Sequence, residues 1–245
     1  MNDVNSLFED FLSAAPNHPP LASLPVGPKL KTPDERRAEW LAQRWGRFTA
    51  SQFHRLMSNG KLADKLSAGA KAYCLEKAVE IMTEVSVDGY VSPAMQWGLD
   101  HEAEAAEAFM ARSGLLVDKH NHDQTFLTLG DSIGGTPDGL IKGCAAGVEI
   151  KCPSSKVHLD YLGITGAASL FEIAPDYYWQ CQGLMLITGY LEWHFVSYDP
   201  RFKDEKLRLH TALIKAVVTD IQRLVKRLPL AIQYRDSICA SLTHT

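Results

Sequence analysis

The stretch GGTPDGLIKGCAAGVEIKCP, residues 134–153, decides how the chain is read. A Pro-Asp-Gly turn carries Asp138, and Glu149 and Lys151 flank a single isoleucine further on. Side chains two apart on a strand share a face, so Glu149 and Lys151 project together while Ile150 turns to the core. If 134–141 pairs with 147–152, Asp138 at the turn approaches Glu149. Two carboxylates about 4 Å apart repel by several kcal/mol even at an effective dielectric near 20, unless a cation lies between them. A hard divalent ion such as Mg²⁺ takes one or two carboxylates and keeps several waters. A lysine beside it stabilises developing charge or orients an attacking water. Asp, Glu and Lys around Mg²⁺ form a set suited to phosphodiester hydrolysis with one or two metals. A charged surface hairpin explains the same residues without any chemistry, and at this point both readings stand.

Outward from this stretch, the chain predicts strands at 115–120, 123–129, 131–141 and 146–152, punctuated by Gly143, Gly147 and the Pro-Asp-Gly. Upstream, DERRAEWLAQRW (34–45) fits a helix capped by Thr32 or Asp34. A short helix begins near Ser51, and another covers 68–85 with Tyr73, Leu75, Ala78, Val79 and Met82 as apolar contacts. A further helix runs from Ser92 to a glycine C-cap at Gly114. Downstream come a helix near 154–162, a looser segment to 175, and DYYWQCQGLMLITG as a helix closed by Gly189. LEWHFVSYD alternates as a strand, and 203–228 carries the stripe of a long amphipathic helix. The order predicts an α/β or α+β fold with a central mixed β-sheet flanked by helices. Residues 1–33 read as an arm, with Leu7, Phe8, Phe11 and Leu12 on one side of a short helix and six prolines in 16–33; a single domain fills 34–245.

Bulk composition narrows the class. At 245 residues, 46% hydrophobic and 22% charged, the chain is ordinary for a globular domain. No apolar run approaches the roughly 18 residues of a membrane span, and the acidic N-terminus lacks the basic region of a signal peptide, which predicts a cytoplasmic protein. Five cysteines without a C-x-x-C pair argue against a disulfide framework or zinc knuckle. The net charge of −4 argues against a simple nucleic-acid coat protein, but not against DNA binding through a local basic surface and metal ions.

Six separated blocks occur in one order: RWGRFTASQF (44–53), WGLDHEAEAAEAF (97–109), TPDGL (136–140), VEIKCP (148–153), YYWQCQ (177–182) and YDPR (198–201). Together they resemble the lambda exonuclease and YqaJ-type viral recombinase family, a branch of the PD-(D/E)xK nucleases, over roughly residues 38–205. The resemblance implies that Asp138 and Glu149 bind metal with the main-chain carbonyl of Ile150, and that Lys151 is the catalytic lysine. It implies a further acid at Glu102, an active-site glutamine at Gln180 with Tyr177 beside it, and a terminal 5′-phosphate site at Arg44 and Ser51, with Thr136 as a small hydroxyl residue. A guanidinium that binds phosphate in bidentate fashion suits that pocket. The family carries another acid some ten residues before Pro-Asp-Gly. Here the position is Thr128 or, with a gap, Asp131, so that acid is not assigned.

The resemblance further implies Mg²⁺, with Mn²⁺ as a substitute and one or two ions per site. It implies a 5′→3′ exodeoxyribonuclease on linear duplex DNA ends, a homotrimeric ring, a single-strand annealing partner, and a phage or prophage origin. An endonuclease of the same superfamily and a non-catalytic DNA-end scaffold are the competing functions. Several other features are set aside. His101-Glu102 is not an H-E-x-x-H, since the second histidine position is Ala105. His120 and His122 read as an exposed strand pair, Cys152 as a buried thiol, and Glu104 and Glu107 as a solvated helix face. Tyr178, Trp179 and Trp193 read as core. Met95 is a candidate apolar wedge at the duplex end.

Overall fold

The structure, a computed structural model, describes residues 33–58, 65–85, 92–118 and 124–243. The arm expected at 1–33 falls almost wholly outside the described residues, as do His120 and His122. Ahead of the sheet core lie helices α1 (Pro33–Ala42), α2 (Phe53–Met57, entered through a 3₁₀ turn at Ala50–Gln52), α3 (Ala68–Thr83) and α4 (Pro93–Ser113). Ser67 caps α3 by accepting from the Ala70 N–H, and Ser92 does the same for α4 with Met95. Gly114 ends α4 at φ 72°, in the left-handed region. The buried positions of α3 include Ala70, Tyr73, Cys74, Lys77 and Ala78. Leu75, Val79 and Met82, expected as contacts, are exposed on the opposite face.

Two sheets form in place of one. Strands β1 (Phe48–Thr49), β3 (Leu127–Leu129) and β4 (Ile133–Gly135) build a three-stranded sheet in the order β1-β4-β3. Strands β2 (Val117–Asp118), β5 (Gly139–Ile141), β6 (Ala146–Lys151), β7 (Glu192–Tyr198) and β8 (Leu209–Lys215) build a five-stranded one in that order. The strand expected at 131–141 is thus split between the sheets, with Thr136, Pro137 and Asp138 at the crossing. Pro137 has no N–H to give a ladder, which favours the break there. β6 and β7 are parallel, and the other neighbours in the five-stranded sheet are antiparallel. A parallel pair needs a long crossover, and α5 (Ser155–Tyr161), α6 (Ala167–Ile173) and α7 (Pro175–Thr188) supply it. α6 forms within the segment read as loose.

The expected helix at 203–228 is corrected. A 3₁₀ turn at Glu205–Leu207 and β8 occupy its first half, and α8 runs from Val218 to Thr243. Leu209, Ala212 and Ile214 are buried because β8 pairs along the whole of β7, from Tyr198↔Leu209 to Glu192↔Lys215. α8 also continues through Pro229. An interior proline costs about 3 kcal/mol; beyond it Ala231 is buried, Ile232 and Tyr234 pack on the core, and Arg235 donates to the Gly46 carbonyl and the Ser132 hydroxyl, contacts that hold the helix past the proline.

Both faces of the five-stranded sheet are covered. Val148, Ile150, Val196 and Tyr198 meet Ala105, Ala106 and Phe109 of α4 in one core cluster. Trp193, Phe195 and Ile214 meet α7 and α8 in the other, which also buries Tyr178 and Trp179 as expected. Alternation along β6 therefore sends Ile150 to the α4 side and Glu149 and Lys151 to the α7 side. Gly147 belongs to that second face, where a Cβ would stand 2.3 Å from the Trp193 ring.

Candidate active site

Asp138 sits one residue before β5, whose pairing with β6 runs through Gly139↔Val148. Its Oδ2 accepts from the Ile150 N–H at 2.7 Å, so the turn is fastened to the strand that carries the other two charges. Lys151 Nζ lies 3.5 Å from Asp138 Oδ2 and donates to Glu149 Oε1. Gln180, on the buried face of α7, donates to that same oxygen at 2.5 Å. One turn earlier on α7, the Tyr177 ring lies 5.0 Å from the Lys151 ammonium. Glu102 reaches the cluster from α4, and Gln124, just before β3, donates to its Oε1 at 2.6 Å.

The electrostatics of the cluster are dominated by buried negative charge. Burial, and then the Asp138 charge, push the Glu102 carboxyl up to about 7. The same two causes push Glu149 up to about 8. Burial pulls Lys151 down, yet Asp138, Glu149 and Tyr177 outweigh it and hold the ammonium charged. Within this cluster one ammonium faces three acids. Glu149 Oε2 is buried and has no hydrogen-bond partner, although Glu149 itself is 0% exposed. An unpartnered carboxylate oxygen at a surplus of negative charge fits a hard cation. Among the described residues no group of three or more acid, histidine or cysteine side chains is placed to hold a metal ion.

The same cleft is lined by Arg44, Ser51 and Thr136 beside Glu102, Asp138 and Gln180. Arg44 follows α1 in a turn, and its Nη2 donates to Thr136 Oγ1 at 2.7 Å. Its guanidinium carbon lies 3.8 Å from the centre of the Trp40 ring and 5.2 Å from that of Phe126, so two aromatic faces orient the fork. Ser51 Oγ lies 3.4 Å from Thr49 Oγ1 at the end of β1. The two sheets meet here: Thr136 follows β4 and Asp138 precedes β5. Of the site residues expected from the sequence, Arg44, Ser51, Glu102, Thr136, Asp138 and Gln180 line this cleft, while Glu149, Ile150 and Lys151 lie on β6 behind it, joined to it through Asp138 and Gln180.

Some participants were not foreseen. Gln124 and Phe126 lie just ahead of β3, in a stretch with no motif. Trp40, four residues before Arg44, was visible as a helix-face neighbour. Leu99 joins Met95 on the cleft wall, and both are exposed, at 59% and 55%. Cys152 is buried, and burial pushes its thiol up to about 12, so it remains a protonated thiol. Glu104 accepts from the Tyr198 hydroxyl at 2.6 Å, which ties part of the face read as solvated to β7. Thr128 and Asp131 are both exposed.

A Pro-Asp turn laid against a Glu-x-Lys strand in a mixed sheet is the arrangement of the PD-(D/E)xK-like fold. The chain belongs to the YqaJ-like viral recombinase domain family, whose model matches residues 39–191. Among solved structures it is similar to an alkaline exonuclease (LHK-Exo) from Laribacter hongkongensis, at 24% identity and a TM-score of 0.70 over 84% of this chain and 96% of that one. The same exonuclease in complex with dAMP aligns at 26% identity and a TM-score of 0.64, over 83% and 98% of the two chains. A phage related exonuclease from Haemophilus somnus 129PT aligns at 17% identity and 0.65, over 80% and 96%. Among curated proteins none matches the sequence. No helix of the described residues is long and apolar enough to cross a membrane.

Proposed function

We propose that this cleft hydrolyses linear double-stranded DNA from its 5′ end, releasing 5′-mononucleotides and leaving 3′ single-stranded tails for recombination by annealing. Family and fold support a nuclease acting on DNA in general. The direction rests on one observation: Arg44, Ser51 and Thr136, which we read as the phosphate-binding set, line one cleft with Glu102, Asp138 and Gln180, and Asp138 in turn meets Lys151 behind the cleft wall.

Asp138, Glu149 and the Ile150 carbonyl would hold Mg²⁺ or Mn²⁺, one or two ions per site, with Glu102 as the additional acid. When bound, the ion supplies Lewis-acid polarisation of the scissile phosphate and charge to offset the acids. Lys151 acts as a fixed ammonium. Asp138 and Glu149 aim its N–H groups, so it donates to a phosphate oxygen or an attacking water and stabilises charge as it develops. Gln180 donates to one oxygen of Glu149, and the other, which has no hydrogen-bond partner, would be the oxygen available to a cation. Arg44 receives the terminal 5′-phosphate in bidentate fashion and sets the scissile bond one nucleotide further along. Met95 and Leu99 on the α4 wall part the terminal base pairs. A homotrimeric ring with basic residues turned inward would reconcile DNA binding with a net charge of −4, and a single-strand annealing protein would take up the product strand.

The test is digestion of linear duplex labelled at either end, with and without Mg²⁺, alongside circular duplex. The 5′ label is expected first, as mononucleotide, and only with Mg²⁺. A 5′-hydroxyl end should be resected slowly and circles should survive. Cutting of circles would favour an endonuclease, and release of the 3′ label first would reverse the polarity.

A further inference from the structure

Helix α4 is held to the body in two different ways along its length. From Ala105 onward, Ala105, Ala106 and Phe109 are buried in the core beneath the sheet. None of residues 93–104 is buried, yet this half carries Glu102, Met95 and Leu99 to the cleft. Helical spacing divides it into two stripes. Met95, Leu99 and Glu102 face the cleft. Trp97, His101 and Glu104 face the end of β7, and there the attachments are specific. The Arg201 guanidinium carbon lies 4.3 Å from the centre of the Trp97 ring, and the His101 ring stacks on that same ring at 3.7 Å. Tyr198 donates to Glu104.

Arg201 is itself rigidly mounted. Its Nε and Nη2 donate to the two oxygens of Asp199 at 2.7 and 3.0 Å, and Asp199 is fully buried. Nη2 also donates to the Pro153 carbonyl at 2.9 Å, two residues past Lys151. One planar group therefore joins the end of the strand bearing Glu149 and Lys151 to the half-helix bearing Glu102. We propose that Arg201, through its stack on Trp97, is the positioning residue that sets Glu102 relative to Asp138, Glu149 and Lys151. The YDPR block, residues 198–201, then works as one unit, in which Tyr198 ties Glu104, Asp199 mounts Arg201, and Arg201 clamps Trp97. The inference rests on the nuclease reading, in which Glu102 is an active-site acid.

The test uses the full chain in four forms: wild type, Trp97→Leu, Trp97→Phe and Arg201→Lys. The last keeps a cation for buried Asp199 but loses the planar fork that stacks. Four quantities are measured: thermal midpoint, Mn²⁺ affinity by calorimetry, duplex affinity in EDTA, and single-turnover digestion of 5′-phosphorylated linear duplex. Residues behind metal-site ligands typically change metal affinity or activity about 10- to 100-fold. Trp97→Leu and Arg201→Lys should therefore lower Mn²⁺ affinity and the digestion rate at saturating DNA by about tenfold or more. Duplex affinity in EDTA should hold, and Trp97→Phe should recover most of the loss. If both variants melt earlier while the folded protein binds Mn²⁺ and digests DNA like wild type, Arg201 is a structural tie alone and the proposal fails. If wild type neither binds Mn²⁺ nor digests duplex, the nuclease reading fails with it, a result distinct from the first.

Discussion

The surplus of negative charge in the cleft should appear as stability before any DNA is added. The perturbation is Glu102→Gln, compared with wild type in metal-free protein between pH 5 and pH 8. Burial and Asp138 raise the Glu102 carboxyl from 4.5 to about 7. A group whose native pKa is raised keeps its proton in the folded state, so its stabilising contribution is complete below the unfolded value. That contribution is lost as pH rises through the native one. At about 1.4 kcal/mol per pH unit, wild type should lose on the order of 3 kcal/mol more than the glutamine variant across this window, since the loss from Glu149, raised by the same two causes, is common to both. For a chain of this size, 1 kcal/mol moves the midpoint by roughly 2–4 °C. The variant should therefore gain roughly 6–12 °C on wild type between pH 5 and pH 8. His158 and His194, both lowered by burial, shift stability the other way near pH 6.5, but they titrate alike in both proteins and cancel in the difference. The assay is thermal melting followed by circular dichroism in EDTA. Adding Mg²⁺ at pH 8 should restore wild type more than the variant. A difference that stays constant with pH would refute the claim that Glu102 is held in a crowded, cation-deficient cleft.

Three further outcomes follow from local geometry. Arg44→Ala removes the fork that Thr136, Trp40 and Phe126 orient. Preference for a 5′-phosphate over a 5′-hydroxyl end should fall roughly 10- to 100-fold, as for a lost hydrogen bond to a charged group, read as the ratio of resection rates on the two ends. Gly147→Ala would place a Cβ 2.3 Å from the buried Trp193 ring, next to the strand residues of the site; overpacking of this kind costs about 1–3 kcal/mol, measurable as a lower urea midpoint with unchanged slope. Gly98→Ala meets no atom within 4 Å and should raise stability by up to about 1 kcal/mol through helix propensity alone, seen as a higher urea midpoint.

How much of this was legible in the sequence depended on the distance over which each feature is decided. Glu149 and Lys151 were legible as a pair because strand alternation is local, and Val148 and Ile150 mark the opposite face. The end of α4 was legible because Gly114 supplies a left-handed cap at the point where the apolar pattern stops. By contrast, 203–228 carries Leu207, Ile214, Val217 and Ile221 at helical spacing, and nothing within that window reports that β7 lies alongside to claim 209–215 as a strand. The split at Pro137 is of the same kind, since two sheets rather than one become visible only when β1 pairs with β4. The Trp97–Arg201 stack joins residues about a hundred positions apart, so neither WGLDHE nor YDPR could disclose its purpose alone. The charge state of the site lies furthest from the letters. Three acids and a lysine read the same whether exposed or buried. Only the burial of Glu149 behind Gln180, with one oxygen left unpartnered, turns them from a solvated hairpin into a buried cluster with a surplus of negative charge.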